Sequence, residues 1–306
     1  MKKILCPIVF FGSGPVAAKS LSLLLEFCEI EVIITKPTVR LATNPVQDIA
    51  KELGIPIFIP IDSERLDKIF KNNKFSSHLG IVIDFGLIIS PQVINYFQNG
   101  ILNSHFSLLP EWRGADPITF SILSGQLETG VSLMLINEKM DDGLLLAQSE
   151  YKIPPDYTTP ELTDKLIKLS NKLIKASLRK YLAGKLKPYP QDLTIPPSYS
   201  RKLTKDDGRI DWQKPARQIE REIRAYIDWP RSYTSLGGKQ IIITKAAVSG
   251  RVLDKPAGVF VVSAKQLLVQ TGENSLDILE IKPAGKPAMA AESFIAGYKA
   301  LIDSQE

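Results

Sequence analysis

The sequence predicts an α/β protein in which a doubly wound, mostly parallel sheet is followed by a small β-barrel. Three observations predict it. In the first half, short apolar runs alternate with helix-patterned segments, as parallel strands joined by helices require. Near residue 185 the texture changes to a proline-rich stretch. Beyond residue 230, five short β-patterned runs punctuated by glycine crowd into about fifty residues.

Residues 7–11 are an apolar run entering the turn Gly12-Ser13-Gly14, and read as a buried strand followed by a helix over 16–27. Strands at 31–35, 55–59, 79–83 and 100–103 then alternate with helices at 46–53, 64–72 and 91–97. Residues 131–136 form a further strand; if it is parallel to its neighbour, the loop after it opens at the same sheet edge. Leu162, Leu166, Ile167, Leu169, Leu173, Ile174 and Leu178 recur at helical spacing opposite a lysine-rich face, one amphipathic helix over 159–183. Pro188, Pro190, Pro196 and Pro197 stiffen the next stretch into a linker. A helix at 213–227 precedes strands at 233–235, 240–248, 259–263, 267–271 and 275–282. The expected domains are 1–184, a linker at 185–205, and 206–306.

The chain has 306 residues, 44% hydrophobic and 23% charged, which excludes disordered and fibrous classes. Its two cysteines, Cys6 and Cys28, lack CxxC spacing, which argues against structural zinc and for a reducing compartment. No apolar run reaches the roughly 18–20 residues that span a bilayer. Lys2 and Lys3 ahead of an apolar run imitate an export signal, but Pro7 and Gly12 interrupt it, so the cytoplasm is expected. Net charge is +5, divided as +1 up to residue 200 and +4 beyond it; residues 161–190 alone carry +6. That local excess is either a solvated helix face or a surface for a polyanion.

Loops that follow strands are where such a sheet does chemistry. Gly12-Ser13-Gly14 is either a tight strand-to-helix turn or an anion cradle, and lacks the third glycine of a dinucleotide fingerprint because Ala17 stands there. The only histidines are His78, in a polar loop, and His105. His105 lies two residues after Asn103, so both can face one cleft at a strand end. Asp141-Asp142 follows the strand at 131–136. An amide, an imidazole and a carboxylate together suit attack of an amine on a carbonyl: the amide stabilises the oxyanion, the imidazole handles the proton, and the carboxylate fixes the imidazole. No metal is needed. The alternative is that His105 only caps local backbone.

The run Asn103-Ser104-His105-Phe106-Ser107-Leu108-Leu109-Pro110, then Arg113-Gly114-Ala115-Asp116-Pro117-Ile118, resembles the N-x-H-x-S-L-L-P…R-G-A-x-P-I signature of the 10-formyltetrahydrofolate-dependent formyltransferases. Glu128-Thr129-Gly130-Val131 and Met140-Asp141-Asp142-Gly143 resemble two further motifs of that family. Arg209-Ile210-Asp211-Trp212, Trp229-Pro230 and Pro283-Ala284-Gly285-Lys286 are similar to its tRNA-acting branch, which moves a formyl group to the α-amino group of methionine carried by initiator tRNA.

The resemblance implies a Rossmann-like catalytic domain, an OB-like second domain, 10-formyltetrahydrofolate as co-substrate, initiator methionyl-tRNA as partner, and a monomer working without a membrane. It implies that Asn103 polarises the formyl oxygen, His105 manages the amine proton and Asp141 orients His105. Ser107, Leu108, Leu109, Pro110, Asp142 and the strand end Asp84-Phe85-Gly86-Leu87-Ile88 match folate-lining positions; the alternative is that Phe85 and Leu87 are simply core residues. On the tRNA side it points to Lys36, Arg40, Lys172 and Arg179, and to the neighbouring Lys165, Lys168, Lys175 and Lys180. The loop at 36–44 is shorter than the family's, Asp84 replaces a small residue, and Leu144 stands where a second acid is common. An enzyme acting on an amino-sugar nucleotide with the same donor is the rival reading.

Overall fold

The computed structural model describes residues 4–37 and 44–305. The chain forms two compact units that interleave along the sequence. One comprises Met1–Pro117, Glu128–Lys152 and Thr163–Arg201; the other comprises Ile118–Leu127, Ile153–Leu162 and Lys202–Glu306.

In the first unit β1 (Ile4–Gly12), α1 (Gly14–Leu24), β2 (Cys28–Ile34), α2 (Pro45–Leu53), β3 (Ile57–Phe58), α3 (Ser63–Asn72), β4 (Leu79–Ile83), α4 (Pro91–Ile94) and β5 (Ile101–His105) follow the expected alternation. Next along the chain come β6 (Arg113–Gly114), α5 (Pro117–Ser124), which from Ile118 on belongs to the second unit, β7 (Glu128–Leu135), β8 (Leu145–Lys152), α6 (Thr159–Leu182), whose first turn does too, and β9 (Tyr199–Ser200). The main sheet has the order β3-β2-β1-β4-β5-β7-β8. Strand order reverses between β1 and β4, so a crevice opens beyond their carboxyl ends.

β1 forms because Ile8, Val9, Phe10 and Phe11 are all fully buried, as a strand covered by helices on both faces demands. A Cβ on Gly12 would stand 2.7 Å from that of Ala17, so glycine is what lets α1 close on the strand end. Side-chain caps start the next helices: Asn44 accepts from the N–H groups of Val46 and Gln47, and Asp62 from that of Arg65. On one sheet face Phe11 packs against Phe70, Phe85 and Phe97 at centroid distances of 5.9, 5.6 and 6.0 Å.

Two expectations need correction. β5 does not end at Asn103 but continues through His105, because Ser104 and His105 still pair with Leu133 and Ser132 of β7. β7 is antiparallel to β5, not parallel, and forms a hairpin with β8. Its end therefore leads away from the carboxyl edge of β5, and the 136–144 connection has to fold back.

The second unit contains α7 (Ala216–Ala225), β10 (Ser232–Leu236), β11 (Lys239–Ser249), β12 (Phe260–Ser263), β13 (Gln266–Gln270), β14 (Ser275–Pro283), β15 (Met289–Ala290) and α8 (Ala291–Asp303). Its antiparallel sheet has the order β10-β11-β14-β13-β12, with β15 added to β14. Ile219, Ile223, Ile243, Val269, Ile278 and Phe294 belong to one buried core that joins both helices to the sheet. Earlier parts of the chain complete this unit: Arg221 Nη1 donates to the Ser124 carbonyl at 3.3 Å and Thr159 Oγ1 to that of Ala225 at 2.8 Å. Among the described residues no helix is long and apolar enough to cross a membrane.

Backbone and side-chain hydrogen bonds tie the strand ends at the β1–β4 crevice. The Ser13 N–H donates to the Asp84 carbonyl at 2.8 Å, the Lys36 N–H to Ser13 Oγ at 3.1 Å, and Asn44 Nδ2 to the Lys36 carbonyl at 3.1 Å. Asp84 keeps one edge open to solvent, yet the surrounding protein strips away enough water to push its carboxyl up to about 6; Lys36 pulls it down and Asp116 adds a further push up. A carboxyl raised above 3.8 binds its proton more readily in the folded chain than in the unfolded one. Its contribution to stability is thus present below pH 4 and is lost as pH rises through 6. Asp84→Asn removes that loss, so the stability of the variant relative to the parent should grow from about pH 4 to 6 and then level off. Parallel denaturation curves across this range would overturn the assignment.

Candidate active site

Asn103 and His105 are alternate residues of β5 and so share a face of the strand. Asn103 is half-buried, and His105 is 6% exposed. His105 Nε2 lies 2.9 Å from the carbonyl of Trp112. A carbonyl only accepts, so this nitrogen carries a hydrogen and Nδ1 is the basic atom of the neutral ring. Asp141 Oδ2 stands 3.8 Å from that Nδ1.

Asp141 reaches this position because the hairpin connection doubles back. Its φ is 50°, in the left-handed region. Gly143 then runs so close to β7 that a Cβ would meet the Leu135 carbonyl oxygen, which demands glycine. The Gly114 N–H donates to Asp141 Oδ2 at 2.7 Å. Asn103 Nδ2 donates to Oδ1 over a longer 3.5 Å, its one protein bond among the described residues. The structure thus brings the three expected residues together, half-open to solvent at Asn103 and closed around His105.

The other expected positions divide. Ser107 and Leu109 are buried, and Leu108 is half-exposed. Ser107 Oγ donates to the Glu111 carbonyl at 2.5 Å, and Ser132 and Gln148 of the β7–β8 hairpin hold the Leu109 backbone on both sides. Pro110 is buried behind them. Asp142 Oδ1 is 2.7 Å from Arg113 Nη2, a buried guanidinium. Phe85 is a core side chain and Leu87 packs against the same cluster, so Asp84, Gly86 and Ile88 are the residues that face outward after β4. The Lys36 ammonium lies over Gly86. Arg40 falls outside the described residues. Lys165, Lys168, Lys172, Lys175, Arg179 and Lys180 are all exposed on α6, with Lys175 Nζ 5.5 Å from the ring centre of Phe27. His78 is exposed in its loop, remote from this chemistry in the sequence pattern as expected.

Sequence reasoning missed the parts that hold the site. The stretch around 185–200 is not free chain: β9 pairs with β6, Ser198 Oγ accepts from the Trp112 N–H at 2.9 Å, and Ser200 Oγ from the Asp116 N–H at 3.1 Å. Gln191, 8% exposed, donates to the carbonyls of Asp141 and Gly143. A glutamine or serine that bonds distant backbone leaves no periodic trace in the sequence.

A formyl transferase family model matches residues 39–178, and the model of the formyl transferase C-terminal domain matches residues 202–299. A methionyl-tRNA formyltransferase of Myxococcus xanthus is 34% identical over 97% of this chain and 97% of its own. One from Coprothermobacter proteolyticus is 37% identical over 95% of this chain and 97% of its own. Among solved structures, an N-formyltransferase of Helicobacter canadensis, crystallised with folinic acid and dTDP-3-aminofucose, shares the fold with a TM-score of 0.67 at 18% identity, covering 92% of this chain and all of that one. The chain belongs to the formyltransferase family, alongside the methionyl-tRNA formyltransferases that match nearly all of its length.

Proposed function

We propose that this protein transfers the formyl group of 10-formyltetrahydrofolate to the α-amino group of methionine on initiator tRNA, as a cytoplasmic monomer serving translation initiation. The observation that carries the chemistry is the convergence of Asn103, His105 and Asp141; the full-length relatives carry the choice of acceptor.

The amine attacks the formyl carbon, a C–N bond forms, and negative charge builds on the formyl oxygen. Asn103 donates an amide hydrogen to that oxygen, since among the described residues its Nδ2 is held by no more than the long bond to Asp141. The amine must lose a proton. His105 takes it at Nδ1, and the resulting imidazolium lies beside the Asp141 carboxylate, whose attraction favours the charged ring. Asp141 is itself fixed by Gly114, and the ring by Trp112, so neither has to reorganise as charge moves. The proton then passes to the departing folate nitrogen as its bond to the formyl carbon breaks, and tetrahydrofolate leaves as product.

On α6, Lys165, Lys168, Lys172, Lys175 and Arg179 recur at intervals of three and four residues and form one exposed basic stripe. We assign it to the acceptor-stem phosphates, which such a stripe would bind with little dependence on sequence.

Incubation with the formyl donor and either charged initiator tRNA or an amino-sugar nucleotide should formylate the tRNA alone; formylation of the sugar alone would overturn the acceptor assignment. His105→Ala or Asn103→Ala should lower turnover by roughly 10²–10⁴ with the fold intact, whereas near-normal turnover would remove their roles. Reversing the charges of Lys165, Lys168 and Lys172 should weaken tRNA binding and flatten its salt dependence by roughly 0.7–0.9 per lost phosphate contact, leaving folate binding unchanged. Unaltered tRNA affinity would dismiss the stripe.

A further inference from the structure

Asp141 belongs to a connection that the sheet itself does not hold in place. β7 ends opposite the start of β5, where Leu135 pairs with Leu102, so the ladder delivers the chain to the wrong edge. The residues after it must return to His105, and the bonds that secure this return come from elsewhere in the sequence.

Three consecutive residues of the return are each gripped. Asp142 is paired with Arg113 at 2.7 Å. The carbonyls on either side, those of Asp141 and Gly143, both accept from Gln191 Nε2, at 2.8 and 3.1 Å. Gln191 Oε1 in turn accepts from Arg113 Nη2 at 2.7 Å. One buried amide thereby ties the guanidinium next to β6 to the backbone that carries Asp141. Arg113 is buried and Asp142 partly so, and the hydration such a pair gives up is offset by close and well-bonded geometry. Gln191 supplies that geometry while meeting its own donors and acceptor.

We infer that Gln191 is a positioning residue for formyl transfer, and that with Arg113 it sets the placement of Asp141 against His105. The inference rests on the formyl-transfer reading above. Among the described residues Gln191 has no hydrogen bond to His105 or Asn103 and reaches them through the Asp141 and Gly143 carbonyls and Arg113. The segment that carries it is therefore a brace of the active site, although its prolines read as a linker.

A displacement of about an ångström at a reacting group can cost roughly 10²-fold in rate. Gln191→Ala should lower kcat about 10- to 100-fold while changing KM for donor and acceptor only slightly. Gln191→Glu keeps the size and the acceptor for Arg113, but its carboxylate has no hydrogens for the two carbonyls, so it should lose kcat to a similar degree. The deciding measurement is a double-mutant cycle in single turnover: in an Asp141→Asn background, Gln191→Ala should cost little more, because the residue it positions is already disabled. Multiplicative losses, or normal kcat in Gln191→Glu, would overturn the inference. A parent protein that transfers no formyl group at all would overturn the underlying reading and the brace with it, which an active parent insensitive to Gln191 would not.

Discussion

The hydrogen bond from the Gly114 N–H to Asp141 Oδ2 joins the two halves of the site, because nothing in the strand order does so. β5 carries Asn103 and His105, while Asp141 lies on a hairpin connection whose strand points the other way. Three successive residues near β6 bridge the gap. Trp112 offers its carbonyl to His105, Arg113 its guanidinium to Asp142, and Gly114 its N–H to Asp141. A shift of this short segment would move the imidazole and the carboxylate at once, so its own anchoring governs the geometry of both.

A second constraint acts at the crevice between β1 and β4. Helix α1 begins at Gly14, and its free N–H groups favour a negative charge. Asp84 Oδ2 already lies there, 3.8 Å from where a Cβ of Gly14 would be. Loss of hydration nevertheless outweighs that attraction and the pull of Lys36, since the carboxyl is raised and not lowered. Of the two readings of Gly12-Ser13-Gly14, the tight turn fits best: an ionised Asp84 would repel a phosphate arriving at the same helix end.

The alternation of strands and helices was legible because each strand buried on both faces leaves a continuous apolar run, as 79–83 and β4 show. Asn103 and His105 were legible as a pair because a strand has a two-residue period. The direction of β7 was not, since an apolar run looks the same whether its neighbour is parallel or antiparallel. Asp141 was placed beside His105 on a premise of parallel strands that fails; it arrives there through the left-handed turn at Asp141 and the close approach of Gly143. Phe85 shows a further limit. Its motif resembles a folate-lining strand end, but the side chain serves the aromatic core.

The proline-rich stretch also changes what counts as the catalytic part of the chain. Residues up to 184 contain all three side chains proposed to react, yet Gln191, Ser198 and Ser200, which hold the Trp112, Arg113 and Asp116 segment and the Asp141 turn, come afterwards. Prolines suit this task. Restricted backbone loses less entropy on docking than an equally long flexible strap would, so a few side-chain bonds suffice to fix it. The same stiffness that makes the stretch read as a spacer thus lets it serve as a brace, and Asp141 is held beside His105 by bonds from chain that lies fifty residues further on.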